Sequence, residues 1–171
     1  MAQKIHVRDE NRGGNIKDYW PLIALVGVSA LAAIAVCAGF SSFTMKSLMH
    51  VYMGVFLIVF ALLKLFDPNG FQDGFAMYDL LGMRFAPYGY IYPYLELVLG
   101  LAFLSFLAPV TTYLATIILF TFGAAGVIAA LQKGLDINCP CMGNILNVPL
   151  STVTLTEDLV MIAMAFFLLF T

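Results

Sequence analysis

Five apolar stretches, each near the length needed to cross a bilayer, leave this chain few folds to choose from. A helix needs roughly 20 apolar residues to cover the hydrocarbon core, where every backbone N–H and C=O must find its partner inside the protein. The stretches run Trp20 to Phe40, Ser47 to Phe66, Tyr88 to Ala108, Pro109 to Gln132 and Leu150 to Thr171. Of the 171 residues, 62% are hydrophobic and 11% charged, more apolar surface than a soluble domain of this size can hide. The expectation is an all-α membrane protein, a four-helix transmembrane core plus one N-terminal transmembrane helix. Residues 1–44 then hold a charged tail and the first span, and residues 45–171 the four-helix domain. A net charge of −2 attracts no nucleic acid, so the lipid bilayer is the partner that composition names.

The first span is free of charge and too long for the core of an export signal, so it reads as an anchor. The second carries His50 and, near its end, Lys64; the third carries Glu96, shortly after Pro93, which is expected to kink it. The fourth has no charge and includes Gly123-Ala124-Ala125-Gly126, a small-residue face suited to close helix packing. In the fifth, Glu157 and Asp158 precede the uninterrupted apolar run Leu159 to Phe170. Between spans two and three, Asp67-Pro68-Asn69-Gly70 opens a turn, and Phe71, Phe75, Met77, Tyr78 and Leu81 follow near helical spacing. That pattern predicts an interfacial amphipathic helix.

Five crossings put the N-terminus, the loop after span two and the loop Lys133 to Pro149 on one face. Lys4, Arg8, Arg12, Lys17, Lys64, Arg84 and Lys133 lie on or near that face and Lys46 on the other. The positive-inside rule makes the richer face cytoplasmic, in a bacterial-type inner (plasma) membrane. Glu96 and Asp158 lie at matching depths, each ~12 Å from that face at a rise of ~1.5 Å per residue. Lys64 ends its span on the same side, and its long stem can carry the ammonium inward to meet them, since an unpaired intramembrane charge is expensive. A polar cluster of Lys64, Glu96 and Asp158 follows. Glu157 and Asp158 are neighbours pointing about 100° apart, so Asp158 is the one expected to face inward.

The polar loop holds Cys139-Pro140-Cys141, the one strongly chemical element of the chain. As a redox couple, its disulfide closes a very small ring around the fixed φ of Pro140, and such strain makes a disulfide easy to reduce. A thioredoxin-like protein is the partner this chemistry calls for. As a ligand pair, the two thiolates select soft ions such as Cu(I), Zn(II) or Hg(II), with Met142 adjacent and a metal chaperone as the matching partner. Met45, Met49 and Met53 repeat every four residues beside His50, with Cys37 near the end of span one. Methionines at helical spacing are ordinary packing residues, and a soft-metal entry site is the second reading of this group. Tyr88, Tyr90, Tyr92 and Tyr94 fit an interfacial belt, or, in the alternative, a quinone pocket. No cofactor is fixed by these residues.

The run from Phe56 to Pro68, then Phe71, Tyr78 and Pro93-Tyr94-Leu95-Glu96-Leu97-Val98-Leu99-Gly100, resembles the MauE family of methylamine-utilisation membrane proteins, relatives of the DoxX group. That family's pattern continues with a Cys-Gly-Cys-Phe-Gly loop, a proline lead-in and an Arg-Asp pair opening the last helix. Cys139-Pro140-Cys141-Met142-Gly143, Pro149 and Asp158 stand in those places here. Pro140 replaces the glycine, Glu157 stands where the family has arginine, and Ser151-Thr152-Val153 where aromatic residues are common. The resemblance implies a four-helix membrane core associated with thiol–disulfide chemistry and with maturation of methylamine dehydrogenase; some relatives resemble heavy-metal proteins.

Overall fold

The computed structural model describes residues 19–40, 43–77, 79, 82, 84, 85, 87–132 and 150–171, and of residues 150–153 the backbone alone. Six helices account for nearly all of them, and no strand occurs among the described residues. They are α1 (Trp20–Gly39), α2 (Met45–Phe66), α3 (Pro68–Phe75), α4 (Pro87–Leu104), α5 (Pro109–Gln132) and α6 (Leu150–Phe170). Among the described residues three helices, α1, α2 and α5, are long and apolar enough to cross a membrane by length and composition. Helix α4 is diluted by four tyrosines and Glu96.

Local chemistry sets the helix ends. Thr44 caps α2, its hydroxyl accepting from the Ser47 N–H at 3.1 Å. Asp67 caps α3 by accepting from the Gly70 N–H at 3.0 Å, and Pro68 occupies the first turn, where no N–H is needed. A Cβ at Gly70 would stand 2.3 Å from Asp67 Oδ2, so the cap requires glycine there. Helix α4 ends at Leu104, short of the Ala108 boundary expected from hydropathy. Phe106 (φ 53°) and Ala108 (φ 43°) turn the chain through the left-handed region before Pro109 opens α5.

Helices α2 and α4 pack along their lengths and run antiparallel, with His50 against Phe103 near one end and Gly54 against Gly100 one turn further in. A Cβ on Gly54 would lie 3.0 Å from the Gly100 carbonyl oxygen, and one on Gly100 equally close to that of Gly54. The two backbones therefore touch, as small residues allow in membrane bundles. Helices α5 and α6 form the second close pair. One core joins them: Met53, Phe56, Leu57 and Phe60 of α2, Phe103 of α4, Phe120 and Val127 of α5, and Met161, Ala165 and Leu168 of α6. Helix α1 packs chiefly on α2 through Ala33 and Cys37, which meet Val51 in a separate small cluster. The outer faces carry Leu31, Val98, Leu101, Ile118, Phe122 and Phe166, an apolar surface that lipid and not water would solvate.

Helix α3 is the amphipathic segment between α2 and α4. Phe71 and Phe75 turn inward and pack on Tyr92, with ring centroids 6.1 and 4.8 Å away. It stops at Phe75, so Met77 lies beyond the helix and is exposed, while Tyr78 and Leu81 fall outside the described residues.

Candidate functional site

Lys64, Glu96 and Asp158 come together from three different helices, and they are almost wholly buried. Lys64 Nζ lies 2.5 Å from Glu96 Oε1 and 2.6 Å from Oε2, so one ammonium takes both oxygens of one carboxylate. The sequence supports this locally. Lys64 is in the last turn of α2, where its charge also suits the helix C-terminus, and Glu96 sits on the α4 face that turns inward with Tyr92 and Pro93. Tyr92, one turn before Glu96, hydrogen-bonds to its carboxylate. The rings of Tyr92 and Phe71 stand 5.2 and 5.6 Å from Nζ, so two aromatic faces and a carboxylate replace the water the ammonium has lost.

Helix α6 closes the site. Asp158 is 2% exposed and rests on Gly123 of α5, where an added Cβ would meet Oδ2 at 3.1 Å. Oδ2 is buried and has no hydrogen-bond partner among the described residues. Glu157 is also buried, contrary to the expectation that only Asp158 would turn inward. Both border one cavity of about 10 Å³, together with Lys64, Glu96, Thr154, Gly123 and the rings of Phe71, Phe75 and Tyr92. Side chains about 100° apart on a helix can line the same space when that helix faces the seam between two others. Such a volume is about what a single water needs.

The second group of sequence candidates is scattered. His50 is buried against the α4–α5 turn, its Nδ1 3.2 Å from the Phe103 carbonyl oxygen and its Nε2 against the Tyr113 hydroxyl. A carbonyl only accepts, so Nδ1 donates and Nε2 accepts from Tyr113. The ring also stacks on Phe106 at 4.6 Å, pinning the left-handed turn. Met53 lies in the main core, Met49 packs beside it, Met45 is exposed, and Cys37 is a buried free thiol in the α1–α2 cluster. Among the described residues no group of three or more His, Cys, Asp and Glu is placed to hold a metal ion. Cys139, Cys141 and Met142 lie outside the described residues.

The sequence does not mark Thr154, Tyr113, Phe71 or Phe75 as site residues, and it places Tyr92 only in an interfacial belt or, in the alternative, a quinone pocket. Tyr92 had a signal, being four residues before Glu96 on the same helix face. Tyr113 had none, because its meeting with His50 depends on how α5 folds back after the turn.

A helical bundle with lipid-facing apolar sides and a buried ion pair under an aromatic lid defines the class: a polytopic membrane protein with a built polar centre. The family model described as methylamine utilisation protein MauE matches residues 42–171, most of the chain, and the chain belongs to that family. No curated protein and no solved structure matches it.

Proposed function

We propose that this MauE-family protein relays electrons or disulfides through Cys139 and Cys141 in support of the maturation of a redox enzyme, of the methylamine dehydrogenase type in the family. The observation that carries the reading is the buried Lys64–Glu96 pair with Asp158 beside it. Lys64 ends α2 on this side of the bundle, and Asp158 lies in the first half of α6. The cysteine-bearing segment joins Gln132 at the end of α5 to Leu150 at the start of α6. In the exchange, a partner dithiol reduces the Cys139–Cys141 disulfide by way of a mixed disulfide. Two electrons and two protons pass from the partner, which leaves as the disulfide. In this reading Lys64, Glu96 and Asp158 support the exchange.

In the same reading α1, α2, α4, α5 and α6 are five crossings and α3 lies in the interface. Its eight residues are too few to span, and its buried Phe71 and Phe75 give it one apolar face. The N-terminus and the cysteine loop then face the cytoplasm of a bacterial-type inner membrane.

The test is to change Cys141 to Ser in the full-length protein in its native membrane and look for a mixed disulfide with a thioredoxin-like partner. Capture that disappears in the Cys139→Ser, Cys141→Ser double variant is the expected result. Stoichiometric Cu(I), Zn(II) or Hg(II) on the purified wild type, lost with Cys139→Ser and unaccompanied by any trapped partner, would replace the relay with metal handling.

A further inference from the structure

The charge balance of the buried centre does not close with Lys64 alone. Among the described residues, its cavity is bordered by one ammonium and three carboxyl groups, those of Glu96, Glu157 and Asp158. Both oxygens of Glu96 already contact Lys64 Nζ. Asp158 meets neither a cation at ion-pair distance nor, at Oδ2, a hydrogen-bond donor among the described residues. A carboxylate there is costlier than the neutral acid, because among the described residues no donor meets Oδ2 in place of the lost water.

Apart from Lys64 of α2, the described elements around Asp158 offer it no positive charge. Helix α5 offers the bare backbone of Gly123, α4 offers Glu96 and Tyr92, and α3 offers the rings of Phe71 and Phe75. Helix α6 itself adds Glu157 and Thr154, and the buried Asp79, whose Oδ1 accepts from the Gly82 N–H at 2.7 Å, adds another carboxyl beyond α3. Among the described residues lining the cavity, Lys64 is the one cation.

We infer that Asp158 is a proton-binding site within the membrane domain, holding its proton as the neutral acid beside the Lys64–Glu96 pair and releasing it to a water in the adjoining cavity. The step is the transfer of one proton from the carboxylic acid to water, leaving a carboxylate whose counter-ion is then Lys64, shared with Glu96. Proton binding here is independent of the cysteines, so it extends the relay reading without resting on it. Where the relay operates, a membrane-embedded proton site on the same side is suited to dithiol chemistry, which moves two protons with its two electrons.

Infrared spectroscopy of the full-length protein in lipid nanodiscs tests this directly. The expected result is a protonated carboxylic C=O band at neutral pH that shifts in D2O and fades as pH rises. It should vanish in Asp158→Asn, persist in Glu157→Gln, and persist in the Cys139→Ser, Cys141→Ser double variant. Absence of such a band from folded wild type at every pH would overturn the inference. Loss of the band in Glu157→Gln with retention in Asp158→Asn would also overturn it. Should Asp158→Asn not accumulate, Gly123→Ala serves instead, since its Cβ presses on Oδ2 and must displace the band; an unmoved band refutes the assignment. A band that behaves as expected alongside failed partner trapping would reject the relay and leave the proton site standing.

Discussion

Helix α2 carries two buried polar groups, His50 and Lys64, about 21 Å apart at a rise of ~1.5 Å per residue, and their surroundings differ in kind. Around His50 both ring nitrogens have partners, and the ring stacks on Phe106 with Phe103 and Tyr113 edge-on to it. Around Lys64 the ion pair is complete, but the same cavity holds two more carboxyl groups and space beside them. Gly54, Leu57, Phe60 and Ala61 fill the length of α2 between the two with a dry core. Buried polarity is thus of two sorts here. A saturated centre fixes the α4–α5 turn in place, while the other leaves Asp158 Oδ2 without a hydrogen-bond partner among the described residues.

The strongest blow to this contrast would be struck at the ion pair. Lys64→Met strands the Glu96 carboxylate in the bundle and should lower stability by about 3–5 kcal/mol, read as lost abundance or early unfolding in detergent. Adding Glu96→Gln should restore much of the loss, because the stranded charge is then gone. A double variant no better than the single one would show that the pair does not act as a unit.

Between the centres, Gly100→Ala drives a Cβ to 2.8 Å from Ile58 Cγ1 and 3.0 Å from the Gly54 carbonyl oxygen. It should cost about 1–3 kcal/mol in thermal unfolding by forcing α2 and α4 apart. At the saturated centre, Tyr113→Phe removes the donor to His50 Nε2 and should cost about 1 kcal/mol while leaving thiol exchange unchanged. Lost exchange with intact folding would move His50 and Tyr113 out of the structural role. The smallest expected effect is Gly123→Ala, under about 1 kcal/mol in stability, since only a side-chain oxygen at 3.1 Å must give way. Its signature belongs to the Asp158 carboxyl, not to the melting curve.

Much of the polar centre could be read from the chain. Lys64, Glu96 and Asp158 are rare charges in apolar stretches, and the matching depths expected of Glu96 and Asp158, with Lys64 ending its stretch on the same side, predict a shared layer. The structure brings the three to one cavity, with Lys64 on both oxygens of Glu96. Glu157 escaped it because helical periodicity says where a residue points, and not how wide a seam the neighbouring helices leave. The Met45, Met49, Met53 and His50 pattern was equally visible, yet helical spacing did not foretell that His50 would turn to the Phe103 carbonyl and Tyr113. The early end of α4 was also hidden, because Ser105 to Ala108 remain apolar enough to read as helix while two of those residues adopt positive φ.

What the sequence by itself determined is the solvent and the inventory. Long apolar runs demand lipid and helices, and a handful of intramembrane charges must find one another, because no water can satisfy them. What only the tertiary structure decided is the stoichiometry of that meeting. The single ammonium engages Glu96 in full, the glycine of α5 makes room for Asp158, and Glu157 shares the cavity. Pairing depends on the precise placement of helices distant in sequence, and that placement is set by packing, which no local pattern encodes.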